Sequence, residues 1–242
     1  MRAQSVFFLL AATTALATPQ KFTSGPARTS LIELYTSEGC SSCPPAEEWL
    51  GALRDRPGLW RDFVPVAFHV VYWDHLGWRD RFASKAGTER EYAYAAEWGS
   101  GSVYTPCLVR NGAEWRIPLR GGMPERSTEK TGMLTAELDG SRCRVKFLPA
   151  GDTLGFYEAH AAILGGSINS PVRAGENEGR TLHHEFVVLV LKEAPLHDGA
   201  AEIFLPPPDT TNGSRRALAV WITRRGSPAP VQATGGWLAQ VP

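Results

Sequence analysis

Residues 38–45 read Glu38-Gly39-Cys40-Ser41-Ser42-Cys43-Pro44-Pro45. A compact apolar run precedes them, Leu31-Ile32-Glu33-Leu34-Tyr35. A segment with helical periodicity follows: Pro44 to Arg54 carries Ala46, Trp49, Leu50 and Leu53 on one face. Two cysteines separated by two serines therefore sit at a strand-to-helix junction. A helix N-terminus carries partial positive charge and unpaired N–H groups, and both favour a thiolate. Cys40 is the expected nucleophile and Cys43, one helical turn on, the resolving thiol. Pro44 and Pro45 suit the first turn, where a missing N–H costs nothing.

Downstream, Tyr104-Thr105-Pro106 precedes a short apolar run, Cys107-Leu108-Val109, and a turn at Asn111-Gly112. The order strand, Cys-x-x-Cys, helix, strand, helix, Thr-Pro, strand, Asn-Gly resembles the thioredoxin superfamily. More closely, four stretches resemble a secreted bacterial thioredoxin-like family known as domain of unknown function twelve-twenty-three. They are Leu31 to Pro45, Phe68 to Trp78, Tyr104-Thr105-Pro106 and Gly175-Glu176-Asn177-Glu178-Gly179-Arg180-Thr181-Leu182. The resemblance implies a cis proline at Pro106, beside the cysteine pair, whose backbone helps hold an extended peptide. It implies a fold and a compartment and leaves the reaction open. Val71 stands where the family pattern leads one to expect Asp, which weakens any role for an acid there. Cys107, just after the proline, is a second departure.

The chain has 242 residues, 43% of them hydrophobic and 21% charged, the usual mix for a soluble globular protein. Its formal net charge is zero, so nothing in the charge favours nucleic acid or an acidic membrane surface. Arg2, the apolar run Val6 to Ala12 and the small residues of Ala15-Leu16-Ala17 read as a cleaved signal peptide over 1–17. That run is too short to span a bilayer, which needs about 20 apolar residues. The mature protein is then expected outside the cytoplasm, secreted or periplasmic, where disulfides persist. No membrane span is expected in it.

Residues 18–28 read as a linker, 29–125 as a thioredoxin-like α/β domain and 126–242 as an antiparallel β-sandwich. Within the first, Phe63 to Tyr72 is apolar on both faces apart from His69, as a central parallel strand would be. Arg81 to Trp98 reads as a helix, and Gly121-Gly122 closes the domain. In the second, Arg142 to Leu148 alternates, with Cys143, Val145 and Phe147 on one side. Asp139-Gly140, Pro206-Pro207-Pro208 and Asn212-Gly213 mark turns between further strands at Gly155–Leu164, His184–Lys192, Ala201–Leu205 and Ala217–Arg224.

The expected activity is thiol–disulfide exchange with a protein or a small thiol, with Cys40 and Cys43 catalytic. Thr105, Pro106, Trp73 and Asp74 are the expected substrate-binding residues, on the sheet edge where the strands' carboxyl ends gather. Asp74 or His75 could accept a proton from Cys43; equally, that loop could be packed and capped by Asp74. No cofactor is required, because the cysteines carry the electrons, and no metal site is expected. A permanent structural disulfide in a non-catalytic binding module is the alternative. So is copper(I) on the two thiolates with His69 or His75 as third ligand. His69 otherwise reads as a satisfied core histidine. His183 and His184 fall on opposite faces of a strand, which argues against joint metal binding. Cys107 and Cys143 are two buried thiols, a bridge between the domains, or a redox relay. Gly175 to Leu182 could shape a cleft or simply form a demanding loop.

Overall fold

A computed structural model describes residues 18–116, 122–151, 155–208 and 215–239. The signal peptide expected over 1–17, the Gly121 boundary and the Asn212-Gly213 turn lie outside them. The first strands are β1 (Gln20–Thr23), inside the stretch that reads as a linker, and β2 (Ser30–Thr36). Helix α1 (Pro44–Ala52) and a 3-10 turn (Leu53–Asp55) lead to β3 (Phe63–His69). A 3-10 turn at Val71–Leu76, helix α2 (Lys85–Glu97), β4 (Cys107–Arg110) and β5 (Ala113–Glu114) follow. The rest is strands: β6 (Gly132–Asp139), β7 (Arg142–Pro149), β8 (Tyr157–Gly166), β9 (Ile168–Pro171) and β10 (Thr181–His184). The last are β11 (Val187–Pro195), β12 (Ala200–Phe204), β13 (Arg215–Arg224) and β14 (Pro230–Trp237).

The expected fold class, an α/β thioredoxin-like domain followed by a β-sandwich, is corrected here. The described chain is mostly strand, with only two α-helices. One mixed eight-stranded sheet runs β14-β13-β8-β11-β3-β2-β4-β5, so strands from both halves of the chain share it. The join is short. Val187 of β11 pairs in parallel with Ala67 of β3, and the Ala67 N–H donates to the Phe186 carbonyl at 2.8 Å. This pairing covers the edge of β3 that a self-contained α/β domain would leave to its own strands. A second sheet, β1-β6-β7-β12, is antiparallel. Its buried residues Leu134, Ala136, Cys143, Val145 and Phe147 pack with Ala159, Ala161, Leu218, Val220 and Ile222 of the large sheet. The alternation from Arg142 to Leu148 places these side chains as the period of two requires.

β2 and β3 are buried along their whole length and pair in parallel, Leu34 with Ala67 and Thr36 with His69. Alternate residues of β2 serve opposite layers. Glu33 and Tyr35 face α2: Arg90 donates to Glu33 at 2.6 Å and 3.2 Å, and the Tyr94 and Tyr35 hydroxyls donate to it at 2.6 Å and 2.9 Å. Thr36, one residue on, faces α1, where its hydroxyl donates to Glu47 at 2.6 Å. His69, the register partner of Thr36, belongs to the same layer as Glu47. Ser84 caps α2, its hydroxyl accepting from the Gly87 N–H.

Candidate functional site

The chain leaves the carboxyl end of β2, turns through Ser37 to Ser42 and enters α1. Two local bonds shape the turn: the Cys40 N–H donates to the Ser37 carbonyl, and the Cys43 N–H to the Cys40 carbonyl. They bring Cys40 and Cys43 to a Cα separation of 5.5 Å, and the two are joined as a disulfide. Cys43 is the N-cap of α1. Pro44 and Pro45 carry no N–H, and the Ala46 and Glu47 N–H groups both donate to the Cys43 carbonyl. The first turn therefore has no spare donor for a thiolate, and the helix acts on the sulfurs through its dipole alone. The Ser42 hydroxyl lies 3.4 Å from Cys40 Sγ.

Neither cysteine has exposed surface. The loop after β9 holds down the turn that carries them. Asn177, itself fully buried, donates through Nδ2 to the carbonyls of Glu38 and Cys40, both at 2.9 Å. Arg180 fixes the Asn177 carbonyl oxygen at 2.7 Å. The Ser41 N–H and hydroxyl donate to the Glu176 carboxylate at 3.0 Å and 2.7 Å, which holds Glu176 below the usual carboxylate range. Gly175 has φ +79°, and a Cβ there would stand 3.3 Å from Trp78 Cβ, so the loop needs glycine at this point. The stretch Gly175–Leu182 is thus a clasp over the disulfide.

Trp73 lies between the cysteine turn and the Thr105–Pro106 peptide, which is cis. A Cβ on Gly39 would stand 3.2 Å from Trp73 Cβ, and Trp73 Nε1 donates to the Thr105 hydroxyl at 2.7 Å. Asp74 is engaged elsewhere, accepting from the Asp80 N–H at 3.1 Å. His75 donates through Nδ1 to the Tyr72 carbonyl at 2.7 Å. Trp73 thus links the cysteine turn at Gly39 to Thr105 of the cis peptide, and Asp74 caps its own loop. The Tyr72 hydroxyl donates to Glu91 at 3.1 Å. Burial pushes Glu91 up to about 7 against the pull of Tyr72 and of the Tyr104 backbone N–H. Cys107, on β4, is a free buried thiol pushed up to about 12 by burial and by Glu91. Cys143 is also free and buried, on β7, and burial raises it to about 12 as well. The two are not bridged.

Beneath the disulfide lies a buried polar cluster. His69 Nδ1 and Asp80 Oδ2 are 2.6 Å apart, and His184 Nδ1 and Glu47 Oε2 are 2.5 Å apart. Burial disfavours charge on His184, but Glu47 and Glu38 outweigh it and raise the group to about 10. The same opposition raises His69 through Asp80, and His184 lowers Glu47. His69 is therefore not a fully satisfied core histidine: its Nε2 is buried and has no partner. Sequence reasoning misses Glu38, Glu47, Asp80 and His184. Glu47 has the look of the polar side of an amphipathic helix, and the strand pattern separates His184 from His183. His183 is indeed half-exposed and His184 buried, but the hydrogen-bond partner of His184 is Glu47 of α1, with the His69 ring of β3 packed against it, rather than its neighbour.

The family model described as "Protein of unknown function (DUF1223)" matches residues 31–223. The chain belongs to that family. The DUF1223 match covers β2 through most of β13 and so takes in the cysteine turn, the cis peptide and the clasp. Among solved structures, the protein is similar to a crystal structure of an Agrobacterium tumefaciens protein, with TM-score 0.61 and 23% identity over 89% of this chain and 98% of that one. It is also similar to HBP35 of Porphyromonas gingivalis, with TM-score 0.55 and 13% identity over 89% of this chain and 76% of that one. At these identities the likeness is one of fold. No curated protein matches the chain. No helix among the described residues of this DUF1223 protein is long and apolar enough to cross a membrane.

Proposed function

We propose that the protein exchanges thiols and disulfides through Cys40 and Cys43, outside the cytoplasm, on a protein or small-molecule thiol. The observation that carries this reading is the placement of the Cys40–Cys43 bridge. It closes a single turn at the N-terminus of α1, and Trp73 packs close to Gly39 of that turn while donating to Thr105 of the cis peptide. In the exchange a substrate thiolate attacks Cys40 Sγ, a mixed disulfide forms and Cys43 leaves as the thiolate. A second substrate thiol then displaces Cys40, so the substrate gains a disulfide and the protein ends as a dithiol. The reverse sequence reduces a substrate disulfide. The α1 dipole and the Ser42 hydroxyl stabilise the Cys40 thiolate in either direction. Trp73 and the backbone at Thr105–Pro106 offer a surface for an extended chain. The clasp must release Ser41 and the Cys40 carbonyl before a substrate sulfur reaches Cys40.

A specific observation favours a second reading. Both cysteines are fully buried, as a permanent staple in a binding module would be. Turnover separates the two. Cys40→Ser and Cys43→Ser variants are assayed for reduction of a dye-labelled mixed disulfide and for unfolding in urea. The exchange reading expects loss of turnover in both variants with Cys40→Ser still folded, and a trapped mixed disulfide in Cys43→Ser. Wild-type protein without turnover, together with variants that merely lose stability, supports the staple.

A further inference from the structure

We infer that Glu47, His69 and His184 form a buried site for a divalent transition-metal ion beneath the disulfide. The three residues come from α1, the end of β3 and β10, and one donor atom of each lies within 4.8 Å of the others. All three are buried. The decisive feature is His69 Nε2. It is enclosed, it has no hydrogen-bond partner, and the side chain is 1% exposed. A buried imidazole nitrogen without a partner is costly and calls for an occupant.

The surroundings are those of a ligand set. The other nitrogen of His69 is held by Asp80 at 2.6 Å, and Asp80 is itself fixed by the N–H groups of Glu38 and Phe82, both at 2.9 Å. A carboxylate on the far nitrogen is what orients a metal-binding histidine and raises its basicity. His184 has a carboxylate near each ring nitrogen. Its Nδ1 meets Glu47, and its Nε2 faces Glu38 Oε1 at 3.3 Å, although neither of these last two atoms completes a hydrogen bond. The Phe82 ring packs against both imidazoles at 5.4 Å and 5.6 Å and supplies an apolar wall. Three buried carboxylates, Glu38, Glu47 and Asp80, surround the two imidazoles, a balance that a dication complements.

Two imidazole nitrogens and a carboxylate oxygen suit zinc or a neighbouring first-row ion better than calcium or magnesium. Ligands about 2.1 Å from a tetrahedral ion are roughly 3.4 Å apart, so a separation at the 4.8 Å bound closes with a movement of about 0.7 Å per side chain, and the 2.5 Å His184–Glu47 contact opens by about 0.9 Å. The cysteines are not needed as ligands. This separates the site from copper on the two thiolates, and it stands whether or not the disulfide is redox-active.

The test uses the whole mature chain with any affinity tag removed, in a Cys40→Ser/Cys43→Ser background so that no thiolate competes at the turn. Metal content after purification is read by plasma mass spectrometry. Zinc affinity is then read by competition with a chromophoric chelator. One ion per chain is expected, lost in His69→Ala and His184→Ala and kept in His183→Ala. Asp80→Asn should weaken it about 10–100-fold. In case the core variants unfold, cobalt is added to the otherwise unaltered background protein. Intense tetrahedral visible bands without sulfur charge transfer support the site. Folded protein that takes up neither zinc nor cobalt overturns it, as does binding unaffected by loss of His69 and His184.

Discussion

Asn177 makes the clasp testable by one substitution. Its Nδ2 satisfies two carbonyls on the cysteine turn, those of Glu38 and Cys40, at 2.9 Å each. Asn177→Ala removes both bonds and leaves the turn tied to the loop by Glu176 alone. At about 1 kcal/mol net for each bond, the closed state loses about 2 kcal/mol. If the clasp opens before the disulfide can be attacked, the open fraction rises by about 30-fold, since each 1.4 kcal/mol is a factor of ten. The assay is the rate of Cys40–Cys43 reduction by a small dithiol in native buffer, sampled by acid quench and mass-resolved alkylation. Urea unfolding in parallel shows how far global stability has fallen and confirms that the variant is folded when assayed. The expected result is reduction about 30-fold faster than in the parent, with the rate still first order in dithiol. A folded variant reduced at the parental rate would mean that the loop holds the turn without controlling access to it.

Three further outcomes rest on other buried groups. Glu91 carries a carboxyl raised to about 7 by burial, facing the Tyr72 hydroxyl, the Tyr104 N–H and the Cys107 thiol. The folded chain keeps a proton that the unfolded chain has released above about 4.5, so stability falls as pH rises through this window, by about 3 kcal/mol in all. Glu91→Gln should flatten that part of the profile in urea titrations between pH 5 and pH 8; an unchanged slope contradicts it. Arg90→Met leaves the Glu33 carboxylate in the middle of β2 without its cation, and unfolding free energy should drop by about 3–5 kcal/mol. A drop under about 1 kcal/mol would mean that the Tyr35 and Tyr94 hydroxyls suffice. Cys107 and Cys143, buried and raised to about 12, should resist iodoacetamide in the folded protein at pH 8 and react once it unfolds; rapid native labelling of either would place it at an accessible surface.

The parts of the fold that are legible in the sequence are those set by local rules. β2 and β3 show as apolar runs because both faces are covered, and β7 shows as strict alternation because one face is. The cysteine pair falls at a strand-to-helix junction because Pro44 and Pro45 start a helix and cannot continue a strand. What escapes depends on pairing between distant segments. The join of β11 to β3 rests on a single register pair, Val187 with Ala67. It leaves no periodic trace, so the sequence does not show that strands of both halves share one sheet. Glu47 sits where an amphipathic helix usually meets water, and only the arrival of β10 buries it. Asn177 is one polar residue among several in a glycine-bearing loop. Its role appears only when the loop is laid over Cys40. A helix N-terminus promises free N–H groups, but here two prolines and the Cys43 carbonyl account for those of the first turn.

Thiol–disulfide exchange requires the Cys40–Cys43 bond to open and close in the folded protein. Mass-resolved alkylation across a series of thiol–disulfide buffers tests it most directly. Exchange chemistry predicts that the two cysteines convert together at a midpoint between about −300 and −100 mV, with Cys40 the more reactive thiol near neutral pH. A pair that stays oxidised until the chain unfolds contradicts it and makes the bond a staple.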